Sequence, residues 1–350
     1  MSKRSIVKFA RLLPAIAVVL GMVIAPAGQA VAAPVAPAAG YGFGQGFMAV
    51  ENSFDDTNRE LDAVGQTSAS WLRVPIDWNA IEGTRGQYDW GYLDNIVNSA
   101  GAHGLRVLGL LGFSPPWARP GGATMLFPSA PPANNGDFAG FVTAVVQRYG
   151  DRISNWEVWN EPNLPIFFGF ADRRAQRYVD VLKAAYPAIK AVQPGSTVVA
   201  AGLSRASGAD APPAFLQQMY DAGAGGFFDA AASHPYVTPG GLAANSKNGW
   251  SDMLAMHDVM ARNGDGGKQI WLTEIGAPTC SCYDGVSQDE QAKQITDVLA
   301  AAAGLPFVGP AFIYSVRDVN TGDQSSRERN YGALLTTDWQ PKASAAVLAR

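Results

Sequence analysis

The chain has 350 residues, of which 47% are hydrophobic and 16% are charged, and its formal net charge is −4. This length fits one large barrel or two ordinary domains. Acidic residues outnumber basic ones, 30 to 26, which disfavours nucleic acid and anionic membrane surfaces as partners because few phosphate-neutralising contacts would form. The sequence carries no signal for an oligomeric state.

The N-terminus has the pattern of a secretory signal. Basic residues precede an apolar run at 12–24, and the small residues Ala30, Val31 and Ala32 then offer a cleavage site. A membrane anchor is the alternative, but the run is shorter than the roughly 20 apolar residues of a spanning helix. We therefore predict a signal peptide at 1–32 and a protein that is secreted to the extracellular space or cell envelope.

The rest of the chain is predicted to be one domain. Residues 33–40 are rich in Ala and Pro and indicate a flexible spacer. No Pro/Ser-rich linker or internal repeat divides residues 41–350. Without the basic residues of the signal, 22 basic residues face 30 acidic ones, a net charge of about −8. An uncharged polysaccharide is compatible with that charge.

From Tyr41 onward, short apolar runs alternate with amphipathic helical segments, which is typical of βα units around a parallel sheet. Strands are predicted at 43–50, 71–74, 106–111, from Trp156, at 197–201, 227–233, around Glu274 and at 307–314. Helices are predicted at 55–64, 93–100, 138–149, 178–189, 214–222, 252–262, after a capping Ser287 and at 341–348. Eight strands and eight helices predict an α/β fold, a single (β/α)8 TIM barrel.

Two of these strands have the same design. The strand from Trp156 ends in Asn160, Glu161 and Pro162, and the strand from Ile270 delivers Glu274 shortly before a proline. In a parallel barrel the C-terminal strand ends meet at one face, so both carboxylates would lie there. Glycoside cleavage needs such a pair, since one carboxyl protonates the leaving oxygen while the other attacks the anomeric carbon or activates water.

Polar and aromatic side chains follow other strands at the same predicted face. Together with the two glutamates they are Arg73, Trp117, Asn160, Glu161, His234, Tyr236, Glu274 and Tyr314. No Gly-rich phosphate loop or cluster at metal-ligand spacing accompanies them, so neither a metal nor an organic cofactor is predicted.

The sequence Trp-Asn-Glu-Pro after strand four, with a glutamate after strand seven, resembles the large clan of (β/α)8 retaining glycoside hydrolases. The resemblance implies that Glu161 is the acid/base and Glu274 the nucleophile. It also implies that Asn160 bonds the sugar 2-hydroxyl and Arg73 helps keep Glu274 ionised. His234 and Tyr236 would lie beside the two carboxylates.

Within the clan, three segments look most like glycoside hydrolase family 39: Gly86 to Trp90, Ser114 to Ala118 and Trp156 to Leu164. That family contains β-xylosidases and bacterial exopolysaccharide hydrolases. Its β-xylosidases carry an additional β-rich part, whereas this sequence ends where the barrel closes. The resemblance therefore favours a polysaccharide hydrolase made of the barrel alone.

Several residues have structural interpretations. Glu157 shares strand parity with Glu161, and we predict that it pairs with an internal cation. Tryptophans at 71, 156 and 271 are expected to pack within the barrel, and those at 78, 117 and 250 could stack on a sugar or support a loop. Cys280 and Cys282 could form a local disulfide or remain two free thiols.

The leading hypothesis is a secreted retaining β-glycosidase that acts on an extracellular or cell-envelope polysaccharide by double displacement. The glutamates of a retaining enzyme should lie about 5–5.5 Å apart, and Glu161 has to hold a proton near neutral pH. A transglycosylase that passes the glycosyl group to another sugar is one alternative. A non-catalytic carbohydrate-binding barrel is the other, although the sequence holds both glutamates and their supporting residues.

Overall fold

The computed structural model describes residues 33–46, 52–121, 130–170, 173–243 and 248–350. Eight parallel strands close into a barrel in sequence order, each pairing with the next and the last with the first. The strands are β1 Tyr41–Gly44, β2 Trp71–Asp77, β3 Arg106–Gly112, β4 Asn155–Asn160, β5 Thr197–Ser204, β6 Ala230–His234, β7 Ile270–Ile275 and β8 Val308–Tyr314. The predicted single (β/α)8 TIM barrel is confirmed.

Helices follow the strands around the barrel, and short ones lie in the loops after β2 and β4. They are α1 Phe54–Gly65, α2 Trp78–Ile81, α3 Gly91–Ala102, α4 Asn135–Tyr149, α5 Pro165–Phe168, α6 Arg174–Val192, α7 Pro212–Asp221, α8 Gly249–Arg262, α9 Gln288–Ala303 and α10 Ala343–Leu348. The predicted cap of α9 is present, because the Ser287 side chain accepts a hydrogen bond from the Glu290 amide. Across the described ranges, no helix combines the length and apolarity needed to cross a membrane.

Strand β2 runs further than its sequence indicates. A proline usually ends a strand because it cannot donate to the ladder, and β2 was expected to stop at Pro75. It continues to Asp77 because its pairing with β1 covers only Trp71 to Arg73. Pro75 still pairs in register with Leu110 of β3. Arg73, two residues earlier, bonds towards β1, so the missing amide of Pro75 faces the side on which the pairing with β1 has ended. Strand β1 is shorter than predicted and ends at Gly44, while part of the predicted strand lies outside the described residues.

The lower half of the barrel interior is a layer of apolar side chains. Trp71 lies edge-on to Trp271 and Phe312, with ring centroids 5.4 and 6.0 Å apart. Leu108 and Val199 complete this layer with small alanines of β6. Trp156 is buried in the larger core between the strands and the helices. The predicted packing roles of these tryptophans are confirmed, and the apolar layer forms the floor beneath the polar residues at the C-terminal face.

The N-terminal segments are only partly described. Residues 1–32, the predicted signal peptide, lie outside the described residues. In the predicted spacer at 33–40, the Ala39 carbonyl accepts hydrogen bonds from Trp71 Nε1 at 2.8 Å and Arg106 Nη2 at 2.9 Å. The end of this segment is therefore held against the base of the barrel. The domain boundaries themselves stay a prediction.

Candidate active site

The end of β4 breaks the alternation of a regular strand. Trp159 and Glu161 adopt positive φ angles of 73° and 44°, which residues other than glycine rarely adopt. The Trp159 ring turns outward, donates from Nε1 to the Phe167 carbonyl at 2.9 Å and packs on Phe168. Because Trp159 leaves the interior, the neighbouring Asn160 can point into the site. Such strained residues concentrate at functional sites.

The end of β7 is irregular as well. Leu272 pairs with Ala311 while Ile275 pairs with Ile313, so β7 holds one more residue than β8 over this stretch. A bulge of this kind re-aims side chains and is common beside active sites. As a result, Thr273 and Glu274 both reach the site although they are consecutive.

Arg73 joins the two strand ends. Its buried guanidinium donates to Glu157 Oε2 at 2.6 Å, Glu274 Oε1 at 2.8 Å and Asn160 Oδ1 at 2.8 Å. Burial alone would lower the pKa of Arg73, but the charges of Glu157 and Glu274 raise it above its ordinary value, so Arg73 stays charged. The predicted pairing of Glu157 with an internal cation is confirmed. With its oxygen bonded to Arg73, Asn160 has a buried Nδ2 with no partner among the described residues.

His234 and Glu161 form a second unit. His234 Nδ1 lies 2.6 Å from Glu161 Oε1, and its Nε2 lies 3.0 Å from Thr273 Oγ1. The Thr273 hydroxyl donates its proton to Glu157 at 2.9 Å, so its oxygen must accept from Nε2–H. One proton therefore remains between Nδ1 and Glu161, carried by either group. This pair can deliver a proton to a neighbouring oxygen.

Glu274 lies in an environment that favours its ionised form. Burial would raise the pKa of this carboxyl, but the nearby charges of His234 and Arg73 and the hydrogen bond from Tyr236 Oη at 2.7 Å lower it below the ordinary value. Burial also lowers the pKa of His234, but the carboxylates of Glu274 and Glu161 outweigh this effect and raise it. Glu274 is therefore a carboxylate held ready at neutral pH.

One oxygen of Glu161, one oxygen of Glu274 and a ring nitrogen of His234 all lie within 4.8 Å of one another. Two carboxylates and an imidazole are also a possible donor set for a metal ion. However, Arg73 lies 2.8 Å from Glu274, and its positive charge opposes a second cation there. The arrangement is better suited to a neutral substrate whose bond lies between the two carboxyl groups.

Tyr314, at the end of β8, also reaches the site. Burial and then the charge of Glu274 hold the pKa of Tyr314 well above its usual range. Beside it lies a cavity of about 280 Å³, lined in part by Gly46, Arg317 and Glu328. Of the predicted site residues, Arg73, Asn160, Glu161, His234, Tyr236, Glu274 and Tyr314 are thus brought together.

Trp117 has a different environment. Its Nε1 donates to the Glu82 carbonyl at 2.8 Å, its ring lies edge-on to Trp78, and the Arg85 guanidinium covers its face at 4.3 Å from the centroid. These contacts favour a loop-supporting role, and sugar stacking by Trp117 stays a prediction. Trp78 is fully buried and offers no sugar platform, while Trp250 lies half-buried in the first turn of α8.

Sequence reasoning missed several residues of the site. Thr273 directly precedes Glu274. Its position in the same strand as Glu274 was the only feature of the sequence that could have marked it as a site residue. Tyr331 packs on both Tyr236 and Tyr314, with ring centroids 5.6 and 5.3 Å away. It lies in the long segment after β8, where no sequence pattern marked it.

Cys280 and Cys282, which were left open as a local disulfide or two free thiols, are joined by a disulfide in the segment after β7.

Gly202 on β5 allows the His234 imidazole to approach the strand closely. A methyl group there would clash with His234 Nε2 and lie 2.6 Å from Thr273 Oγ1. We expect Gly202→Ala to lower the free energy of unfolding by about 1–3 kcal/mol and to impair the His234–Glu161 unit. Thermal unfolding measures the first effect. Gly140→Ala on α4 is the matched control, since open space surrounds that position, and it should be neutral or slightly stabilising. Equal stability of the two variants would contradict this account.

Comparison with known proteins gives a match to the family described as glycosyl hydrolases family 39 over residues 63–257, more than half of the chain. A comparison with curated proteins finds no match. Among solved structures, a family 39 glycoside hydrolase from the gut symbiont Bacteroides cellulosilyticus WH2 aligns with a TM-score of 0.70 and 24% identity, covering 90% of this chain and 64% of the other.

Two further solved structures share the fold at lower identity. A monomeric beta-xylosidase from Caulobacter crescentus CB15 aligns with a TM-score of 0.68 and 19% identity over 91% of this chain and 68% of the other. The GH39 enzyme from Xanthomonas axonopodis pv. citri gives 0.65 and 18%, over 93% and 71%. The chain thus spans about two thirds of the length of these proteins.

Proposed function

We propose, because the chain belongs to glycosyl hydrolases family 39, that the protein is a secreted retaining β-glycosidase that hydrolyses O-glycosidic bonds of an extracellular or cell-envelope polysaccharide. Glu161 is the acid/base and Glu274 the nucleophile. Asn160, Arg73, His234, Tyr236 and Tyr314 support the reaction around them, and the proposed mechanism requires no cofactor.

The observation that carries this proposal is the contrast between two neighbouring carboxyl groups. Oxygens of Glu161 and Glu274 lie within 4.8 Å of each other, which supports the short carboxyl separation of a retaining enzyme, about 5–5.5 Å, over the about 6.5–9.5 Å of an inverting one. Glu161 shares a proton with His234 at 2.6 Å, whereas Glu274 faces Arg73 at 2.8 Å. One group is thus equipped to donate a proton and the other to attack as a carboxylate.

The reaction proceeds in two displacements. Glu274 attacks the anomeric carbon while Glu161 protonates the leaving oxygen, and a covalent glycosyl–enzyme ester forms. Glu161, now a base, takes a proton from water, and that water displaces Glu274 from the opposite face. The free Nδ2 of Asn160, oriented by Arg73, can donate a hydrogen bond to a substrate hydroxyl as charge develops on the ring.

A polysaccharide substrate is supported by two features. The acidic charge of the chain is compatible with an uncharged polymer. The cavity of about 280 Å³ beside Tyr314 offers polar side chains next to the proposed cleavage point. Polar and aromatic side chains at a concave site are what sugar recognition requires. The N-terminal pattern supports export, which would bring the enzyme to such a polymer.

Hydrolysis of a panel of aryl β-glycosides and β-linked polysaccharides tests this function. We expect release of aglycone or shortened chains with at least one member of the panel. Added alcohol or oligosaccharide acceptors distinguish the alternative transglycosylase, which would form new glycosides in preference to free sugar. Sugar binding without any turnover across the panel would contradict the proposal and favour a carbohydrate-binding barrel.

A further inference from the structure

The hydrogen bond from Tyr236 to Glu274 depends on a side chain that is only half-buried. The Tyr236 ring packs on that of Tyr331, with centroids 5.6 Å apart and planes tilted by 57°. Tyr331 itself is 3% exposed and lies edge-on to Tyr314 at 5.3 Å. The position of the Tyr236 hydroxyl therefore depends on the packing of Tyr331.

Arg327 connects Tyr331 to the segment after β7. Its hydroxyl bonds to Arg327 Nη2, and Arg327 Nη1 pairs with Asp284 Oδ2 at 2.7 Å. The Asp284 carbonyl accepts a hydrogen bond from Thr238 Oγ1 at 2.6 Å, and Thr238 lies two residues beyond Tyr236. These contacts form a closed ring that connects the segments following β6, β7 and β8.

Backbone contacts fix two sides of this ring to each other. The Thr279 amide donates to the Asn330 carbonyl at 2.9 Å, and the Ser281 amide donates to the Gln324 carbonyl at 3.1 Å. The Cys280–Cys282 disulfide lies in the same stretch. Asn330 directly precedes Tyr331, so the segment after β7 and the one that carries Tyr331 are joined at the residue next to the ring itself.

We propose that Tyr331 is a positioning residue: held by the Arg327–Asp284 pair, it packs Tyr236 into the orientation in which Tyr236 donates its hydrogen bond to Glu274. The inference deepens the proposed function, because it assigns control of the nucleophile to a segment more than fifty residues further along the chain. It also concerns the ionisation of Glu274, which can be measured without any turnover.

The test is the titration of Glu274 by carboxyl-carbon NMR of protein labelled with ¹³C-glutamate, with its signal assigned by loss in Glu274→Gln. Loss of the Tyr236 hydrogen bond removes one of the interactions that lower the pKa of Glu274. We therefore expect Tyr331→Leu to move this titration upward by about one pH unit. The acidic limb of kcat/KM should move upward with it, because activity is lost as Glu274 becomes protonated.

Two gentler variants test the contacts that hold Tyr331. Tyr331→Phe removes only the bond between the hydroxyl and the guanidinium and should give a smaller upward shift than Tyr331→Leu. Arg327→Met removes that bond together with the pair to Asp284, so its upward shift should be at least as large as that of Tyr331→Phe. Arg327 is 46% exposed, so its replacement should leave folding intact even if Tyr331→Leu does not fold. Tyr220→Leu is the matched control, since Tyr220 also packs on a ring, Phe228, and bonds a carboxylate, Asp265.

A Glu274 titration that is unchanged in Tyr331→Leu, or unchanged in both gentler variants, would overturn the inference. An equal shift in Tyr220→Leu would also overturn it, because general loosening of the fold would then explain the effect. The result is separate from the fate of the proposed function. An inactive wild-type protein would contradict the glycosidase proposal, yet the NMR titration would still decide the role of Tyr331.

Discussion

Replacing Glu274 by alanine should abolish hydrolysis, with kcat falling by about 10⁴-fold or more. The residue is proposed to form the covalent bond to sugar, and it is the carboxylate that both Arg73 and Tyr236 bond in the described part of the chain. Azide fits the space that the lost side chain leaves. It should restore turnover of a β-glycoside with an activated leaving group and give the α-glycosyl azide, because azide attacks from the face that Glu274 occupied.

Glu290→Ala is the matched control for this experiment. Glu290 lies in the first turn of α9, where its side chain accepts a bond from Gln294 at 2.9 Å, and its loss should leave kcat unchanged. Substantial hydrolysis by Glu274→Ala without azide would contradict the assignment of the nucleophile. Rescue that yields the β-azide would contradict it as well, because that product requires an intact nucleophile.

Replacing Glu161 by alanine should have the second largest effect, with kcat/KM for poor leaving groups falling by about 10²–10⁴-fold. Such groups need the proton that Glu161 shares with His234. An activated aryl leaving group departs without protonation, so its first step should slow much less, and the glycosyl ester on Glu274 should accumulate. Azide should now give the β-azide, since it attacks this ester from the face that Glu161 vacated.

The contrast between leaving groups is the internal control for Glu161. Two substrates with the same sugar but aglycones of different acidity should lose activity to very different extents in Glu161→Ala and to similar extents in Glu274→Ala. Equal losses for both aglycones in Glu161→Ala would show that the residue does not protonate the leaving group. The acid/base assignment would then be wrong.

The barrel and the two glutamates could be predicted because their signals are local. Alternating apolar strands and amphipathic helices define βα units, and a strand that ends in a carboxylate before a proline places that carboxylate at the C-terminal face. The resemblance to family 39 rested on the same short segments, and the family match confirms it. The pairing of Glu157 with a cation followed from strand parity.

The remaining features of the site depend on departures from regular structure. Parity alone would place Trp159 beside Glu161 in the interior, but the positive φ at Trp159 turns its ring outward. The bulge on β7 brings Thr273 and Glu274 to the same side. Sequence alternation cannot report either change, because each is set by backbone conformation and by packing against neighbouring strands.

Tyr331 illustrates the other limit of sequence patterns. It reaches Tyr236 through the folding of the long segment after β8, at a separation of nearly one hundred residues. Trp117 is a similar case, since its position after β3 was compatible with sugar stacking or with loop support, and its contacts with Arg85 and Trp78 favour loop support. Contacts between distant loops are determined by tertiary packing, so composition and residue spacing do not predict them.

The central claim is that Glu161 and Glu274 cleave a β-glycoside by double displacement, and the stereochemistry of the first product tests it most directly. Proton NMR of the sugar released in the first minutes of hydrolysis, before mutarotation, distinguishes the two anomers. Two successive inversions at the anomeric carbon predict the β-anomer. Initial release of the α-anomer would mean a single displacement by water, and it would contradict the role of Glu274 as nucleophile.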